Sequence, residues 1–257
     1  MDIYKLSCEK FTCGDRTSKA QTALAKMLEN ENTGVSYADM MRYRVANKAA
    51  DLCVDTYYVA RHENVAYSRL WNGWGRHENA IGNFGNFVTV EELRGQGLGH
   101  RMLEFWHEDI SSRSDLPLCF LCMGDKRAAK LYFPYGFQTI ENDASFGPLF
   151  MPLGDSPTDF REFCRMYYQP SDTLHLKKAT VQWRHEIDCL LKYSLWSMGL
   201  DHTINGNYLE QALLYFPDKA ELLFTENGRC VGWTLGGIIQ VHPTYKNSEI
   251  LTTQITS

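Results

Sequence analysis

The sequence lacks any apolar run at its N-terminus, Met1–Cys8, that could serve as a signal peptide, and no stretch approaches the length of a membrane span. It also lacks a basic excess, because 26 lysines and arginines stand against 31 aspartates and glutamates, a formal net charge of −5. Proteins that bind phosphate backbones usually carry the opposite balance, so nucleic acid is not expected as a partner. Because no stretch is long enough to span a membrane, a membrane is not expected as a partner either. The sequence predicts a cytoplasmic protein with a globular core.

The eight cysteines lack the spacing of a metal or redox site. Cys119 and Cys122 form a CxxC pair, but no second pair and no matching pair of histidines follows. A structural zinc site needs about four ligands. The pair also lies in an apolar run, residues 116–123, that is typical of a buried strand. We therefore expect reduced, buried thiols and no metal.

The order of elements predicted for residues 1–154 begins βααβββαβαβ, which gives an α/β fold with a mixed sheet and helices packed on its faces. One of these strands is predicted to start at Gly136-Phe137. Strands are predicted at Tyr4–Cys8, Leu52–Ala60, Val65–Leu70, Phe87–Val90, Leu118–Met123 and Phe146–Leu153. Helices are predicted at Ala20–Leu28, Tyr37–Val45, Met102–Ile110 and Lys126–Phe133. The segment Trp71–Asn86 is rich in glycine and asparagine and is predicted as a long loop.

A glycine-rich turn joins the predicted strand Phe87–Val90 to the helix that follows it. Three glycines, Gly95, Gly97 and Gly99, allow the backbone to approach a ligand closely. The first N–H groups of a helix point out of its N-terminus, where the helix dipole adds partial positive charge. The turn is therefore a candidate site for a pyrophosphate.

Three phosphate-loop motifs can be compared with this turn. A Walker A loop needs GxxxxGK followed by Ser or Thr, and no such string occurs. A dinucleotide fingerprint needs GxGxxG, whereas the spacing here is GxGxG. The acyl-CoA loop of GNAT enzymes, Q/R-x-x-G-x-G/A, is matched by Arg94, Gly97 and Gly99.

A second segment strengthens the resemblance to the GNAT superfamily of acyl-CoA-dependent N-acyltransferases. GNAT domains usually continue with a strand and then N-x-x-A-x-x-L-Y-x-x-x-G-F. Here the matching residues are Ala128, Leu131, Tyr132, Gly136 and Phe137, with Asp125 where asparagine is commoner. The two motifs stand in order with a strand and a helix between them, and the resemblance covers about residues 1–153.

The resemblance implies that acetyl-CoA is the co-substrate and that the strand ending at Val90 splays from its neighbour to pair with the pantetheine arm. The main-chain amides of the loop would then hold the pyrophosphate. The residues assigned to the cofactor in this way are Val88, Thr89, Val90, Arg94, Gly95, Gln96, Gly97, Leu98, Gly99, His100 and Asp125.

The resemblance places Tyr132 near the thioester sulfur. A phenol with a pKa of about 10 can protonate the departing thiolate, although the alternative is a helix residue packed in the core. A base must accept a proton from the attacking amine, and Glu91 is the candidate. The alternative interpretation is that Glu91 and Glu92 are a solvated pair of loop residues without a catalytic role. His77 and Glu78 are further candidates. Trp71 and Trp74 are candidates for the wall of an acceptor pocket, and the alternative is that both are packed in the core.

The last third of the chain predicts a linker helix at 155–169 and a smaller α+β domain at 170–257. The order of elements in this domain resembles the opening of a GNAT domain: a strand, a helix and a hairpin. The helix has Ile187, Leu190, Leu191 and Leu195 on one face, and the hairpin turns at Asn227-Gly228. Lys246–Glu249 has no glycine where an acyl-CoA loop would need one. The domain is therefore either a truncated GNAT-like half or an unrelated α+β extension, and its apolar residues leave a homodimer open.

The resemblance as a whole implies an N-acetyltransferase in which a primary amine attacks acetyl-CoA directly. The acceptor is a small-molecule or peptide amine that the sequence does not identify. The alternative is a GNAT fold that binds acyl-CoA, or a partner protein, without turnover.

Overall fold

Two compact units make up the chain, Met1–Gly154 and Asp155–Ser257. The computed structural model describes residues 2–29, 42, 44–45, 49–141, 144–194 (only the backbone at 192–194), 208–216 and 218–245. The helix predicted at Tyr37–Val45 falls mostly outside the described residues, and so do Leu195 and Lys246–Glu249.

The first unit is a seven-stranded mixed sheet flanked by helices, as the sequence predicts. Its strands are β1 Ser7–Thr12, β2 Cys53–His62, β3 Val65–Gly75, β4 Ile81–Thr89, β5 Cys119–Gly124, β6 Gln138–Thr139 and β7 Gly147–Pro152. Its described helices are α1 Lys19–Glu29, α2 Leu98–Ser111 and α3 Lys126–Tyr132. The strand order is β1-β2-β3-β4-β5-β7-β6. The β4–β5 pair is parallel, and the other pairs are antiparallel.

Alternating side chains give the sheet two buried faces. On β2, Tyr57 and Val59 pack with α1, whereas Tyr58 and Ala60 pack with α2. Helix α2 presents an apolar stripe at helical spacing to its face: Leu98, Met102, Leu103, Trp106 and Ile110. The core of the unit is therefore two layers, one on each side of the sheet.

The long loop predicted at Trp71–Asn86 is wrong. Strand β3 runs on to Gly75, and β4 already begins at Ile81, with Trp74 paired to Gly82. Position 82 of this strand requires a glycine, because an added Cβ would lie 2.7 Å from side-chain atoms of Pro117 and Phe120. Its glycine therefore serves close packing rather than a turn.

The first strand begins later than predicted. Ile3–Lys5 forms a single 3₁₀ turn, and β1 starts at Ser7. The guanidinium of Arg101 on α2 donates to the carbonyls of Ile3 and Leu6, at 2.6 and 3.0 Å, which ties the turn to the helix instead of to the sheet.

The second unit is a four-stranded antiparallel sheet in the order β11-β10-β9-β8. Its strands are β8 Leu174–Lys178, β9 Ala220–Thr225, β10 Cys230–Leu235 and β11 Ile238–Val241. Its described helices are α4 Phe160–Tyr167, α5 Arg184–Asp188, a π-helical continuation Cys189–Ser194 and α6 Tyr208–Tyr215. This is the strand order and direction of β1 to β4, with helices again between the first strand and the next.

The predicted elements of this unit are largely present. The hairpin of β9 and β10 turns at Gly228, whose φ of +73° favours glycine. Ile187, Leu190 and Leu191 are buried together against β9. The predicted linker helix is α4, which belongs to the second unit.

His242, just after β11, makes the stability of the second unit sensitive to acid. Its ring stacks on Tyr168 with 4.0 Å between centroids and 2° between planes. Desolvation lowers its pKa from 6.5 to about 4. The folded state therefore holds the ring neutral, and this stabilisation is complete above pH 6.5 and is lost as the pH falls toward 4.

We expect wild type to lose roughly 1 kcal/mol more stability than His242→Phe between pH 7 and pH 5, after allowance for solvent screening. Phenylalanine keeps a ring against Tyr168 but does not titrate. Urea unfolding of both proteins at the two pH values measures the difference, and equal losses would contradict the assignment to His242.

Candidate functional site

Strands β4 and β5 separate after a short parallel pairing. The paired residues are Ile81 with Cys119, Gly82 with Phe120 and Asn83 with Leu121. β4 then continues to Thr89 along β3, and β5 continues to Gly124 along β7. From residue 84 onward, the edge of β4 that faces β5 has no strand partner among the described residues. An opening of this form is what the predicted pantetheine strand requires.

A β-bulge lies where β4 leaves β5. Arg69 pairs with Val88 and Trp71 with Gly85, so three steps along β4 face two along β3. Asn86, within the bulge, has a φ of +54°, which is uncommon for a residue with a side chain. Such conformations cost about 1–3 kcal/mol and are concentrated at functional sites.

The glycine loop has the backbone conformation predicted for a phosphate site. Gly95 and Gly97 have φ values of +75° and +89°, and Gly97 is the N-cap of α2. The carbonyl of Gly97 accepts from Arg101 N at 3.2 Å, so the N–H groups before Arg101 form the first turn of α2, where a helix leaves its donors without intrahelical partners. Several converging N–H groups at a helix N-terminus can bind a pyrophosphate.

The side chains of the loop brace its backbone. Arg94 Nε donates to the Thr89 carbonyl at 3.0 Å, and Gln96 Nε2 donates to the Glu92 carbonyl at 2.8 Å. His100 is exposed on the first turn of α2. The Arg94 contact thus joins the loop to the end of β4.

Asp125, predicted as a cofactor residue, caps helix α3. Its Oδ1 accepts from the backbone N–H groups of Arg127 and Ala128, both at 2.8 Å. An aspartate performs this N-cap role as well as the asparagine usual in the motif. The structure therefore gives Asp125 a role in the helix beside any role toward the cofactor.

Tyr132, at the end of α3, lies beside the opening. Its ring contacts Phe84 edge-on, with centroids 5.1 Å apart, and is 6.2 Å from Phe87. The residue is 4% exposed, and its hydroxyl has no hydrogen-bond partner among the described residues. Burial, with smaller contributions from Cys122 and Asp125, raises the pKa of Tyr132 well above its usual value, so the phenol stays protonated.

A cavity of about 520 Å³ lies between α1, the start of β3 and the end of β4. Its apolar lining is Ala23, Met27, Val65, Ala66, Val88 and Val90. Its polar lining is Lys26, Asn64, Thr89, Glu91, Glu92 and Arg94. The structure therefore brings the predicted pantetheine residues Val88–Val90 and the candidate base Glu91 to the wall of one cavity.

The other candidates lie elsewhere. His77 and Glu78 are in the turn before β4, at the opposite end of that strand from Glu91, about 30 Å away along a nine-residue strand. Trp71 and Trp74 are buried in the core, where Trp71 Nε1 donates to Asp55 Oδ1 at 2.8 Å. Neither tryptophan lines the cavity.

The CxxC pair lies on β5 with both thiols buried, and all eight cysteines, each within the described residues, are without a disulfide. Among those same residues, no group of three or more His, Cys, Asp or Glu side chains could hold a metal ion. No helix in the described part of the chain combines the length and apolarity needed to cross a membrane.

Residues 54–139 match the model of one protein family, described as the acetyltransferase (GNAT) domain. The match runs from β2 to β6 and so contains β4, the glycine loop, α2 and α3. A search of curated proteins finds no match.

Solved structures with similarity include an acyl-CoA N-acyltransferase from Pseudomonas aeruginosa, at 16% identity over 58% of this chain and 99% of that one, with a TM-score of 0.42. Another is the GNAT family N-acetyltransferase YhbS from Escherichia coli, in complex with CoA, at 11% identity over 58% and 83%, with a TM-score of 0.39.

Proposed function

We propose that this chain is an N-acetyltransferase that transfers the acetyl group of acetyl-CoA to a primary amine by direct attack, in keeping with the match of residues 54–139 to the acetyltransferase (GNAT) domain. One observation carries the proposal. A loop with two left-handed glycines leads into the N-terminus of α2 at the same end of β4 where that strand has left β5. An anion site therefore follows directly after an open strand edge, which suits a molecule with a pyrophosphate and an amide-bearing arm.

Different residues of the chain then bind acetyl-CoA and take part in the transfer. The open edge of β4 binds the pantetheine arm as an added strand, and the N–H groups of residues 95–100 bind the pyrophosphate. The neutral amine attacks the thioester carbonyl carbon, and the C–S bond breaks. The sulfur takes the proton of the Tyr132 hydroxyl, which is the acid of this step.

The cavity beside α1 is the proposed acceptor site. Two carboxylates, Glu91 and Glu92, attract an ammonium group to its rim, while the apolar lining suits a side chain next to the amine. Glu91 removes the proton that the amine must lose before it attacks. Small amines and peptide N-termini both satisfy these conditions.

Thiol release tests the activity directly. Acetyl-CoA is incubated with the protein and a panel of amines, and free CoA is measured with a thiol reagent. We expect amine-dependent release with formation of the acetylated amine. The second candidate, a module that binds acyl-CoA without turnover, predicts calorimetric binding of acetyl-CoA but no release with any amine.

Glu91→Gln is expected to lower kcat/KM by about 10²-fold or more, the usual scale for loss of a general base. Glu92→Gln is the matched control, because Glu92 is also exposed and lines the same cavity. Equal effects of the two substitutions would mean that the cavity rim attracts the amine electrostatically and that Glu91 is not the base.

A further inference from the structure

Asn86 carries a buried polar atom that the proposed mechanism does not use. The side-chain oxygen Oδ1 is buried and has no hydrogen-bond partner in the described part of the chain. The same residue holds the left-handed conformation of the bulge, with a φ of +54°. A buried acceptor without a donor is destabilising, and so is the backbone conformation, so a ligand that supplies a donor is the natural explanation.

The position of Asn86 relates it to the open edge of β4. The last residue of β4 that pairs with β5 is Asn83, so Asn86 is three residues beyond the point of separation. It also stands between Phe84 and Phe87, the two β4 residues whose rings contact Tyr132. Asn86 therefore belongs to the stretch of β4 that lies beside Tyr132.

The chemistry of acetyl-CoA restricts which of its groups could donate a hydrogen bond to Asn86 Oδ1. The phosphates and the thioester carbonyl only accept hydrogen bonds, whereas the pantetheine arm carries donors in its two amide N–H groups and its hydroxyl. The remaining donors of the molecule, on the adenosine, lie beyond the pyrophosphate. An amine in the acceptor cavity is less suited, because the cavity is lined by Val88–Glu92 and not by Asn86. We propose that Asn86 Oδ1 accepts a hydrogen bond from an amide N–H of the pantetheine arm, which makes Asn86 a positioning residue for the thioester.

This inference rests on the proposed binding of acetyl-CoA. Its test distinguishes the contribution of the pantetheine arm to binding from that of the nucleotide. Calorimetry on the full chain uses two probes: acetyl-CoA, and 3′,5′-ADP, which has no pantetheine arm. Asn86→Gly keeps a residue that adopts positive φ and removes the amide. We expect it to weaken acetyl-CoA about 5–10-fold, the value of one neutral hydrogen bond, and to leave 3′,5′-ADP unchanged.

Two further variants guard against a purely structural effect. Asn86→Asp keeps an acceptor oxygen and should retain most of the affinity for acetyl-CoA. Asn79→Gly makes the same change at the other left-handed asparagine of this region, in the turn before β4, where φ is +58°, and should change neither affinity.

The inference is overturned if Asn86→Gly weakens both probes equally, weakens neither, or changes only kcat with an amine acceptor. Binding of both probes by wild type without thiol release would defeat the proposed activity but leave the role of Asn86 intact. If wild type binds neither probe, the cofactor site itself is wrong.

Discussion

Gly97→Val is expected to abolish measurable CoA binding, with a loss of roughly 100-fold or more. Gly97 is the N-cap of α2 and has a φ of +89°, a conformation that a β-branched residue avoids at a cost of about 1–3 kcal/mol. The loop would relax, and the N–H groups of residues 95–100 would no longer converge. Titration calorimetry with CoA measures the effect.

Gly99→Ala is the matched control for this substitution. Gly99 lies inside α2 without a positive φ, and an added Cβ would meet its nearest neighbour, Phe87, at an ordinary 3.6 Å. CoA affinity should stay within about twofold of wild type, since alanine favours the helix. If Gly97→Val bound CoA as tightly as wild type, the loop would not be the pyrophosphate site.

Tyr132→Phe is expected to lower kcat by about 10²-fold under conditions where chemistry is rate-limiting, the scale of general acid catalysis. The affinity for acetyl-CoA and the Tm should change little, because the hydroxyl bonds to no described residue and the ring contacts with Phe84 and Phe87 remain. Single-turnover kinetics and thermal unfolding provide the two readouts.

Tyr135→Phe serves as the comparison, since Tyr135 lies three residues further along and its hydroxyl makes a long contact of 3.4 Å with the His100 carbonyl. It should leave kcat within about twofold of wild type. An unchanged kcat for Tyr132→Phe would exclude Tyr132 as the acid, and a large fall in Tm would indicate a packing role instead.

The parts of the site that the sequence predicts are those fixed by local backbone chemistry. A glycine at a helix N-cap and an aspartate before α3 impose their conformations on their own neighbours, so Gly97 and Asp125 can be recognised without the rest of the fold. The hairpin turn after β9 is predictable for the same reason.

The loop predicted at Trp71–Asn86 shows the limit of such reasoning. Glycine and asparagine usually interrupt strands, but Gly82 is required by contact with Pro117 and Phe120, which are distant in sequence. Asn72 is held by Trp106 Nε1 on α2, at 3.1 Å. Tertiary contacts therefore override the local preference, and no local pattern contains them.

The sequence does not indicate the role proposed for Asn86, because the segment Trp71–Asn86 is predicted as a loop. A residue in a predicted loop gives no reason to expect a bulge, a positive φ or a buried amide oxygen. The cavity was also inaccessible to sequence analysis, because its walls come from α1, β3 and the end of β4. Only Val88–Glu92 and Arg94, on one wall, can be anticipated from the sequence.

The separation of β4 from β5 also has a consequence for handling the protein. A sheet ordinarily exposes unpaired peptide groups only along its outermost strands, and such borders are templates on which another chain can assemble. Here β4 leaves β5, so an additional unpaired strand edge lies inside the sheet, from residue 84 of β4. Self-association of the ligand-free protein would begin there, so purification and storage with saturating CoA should protect it from precipitation.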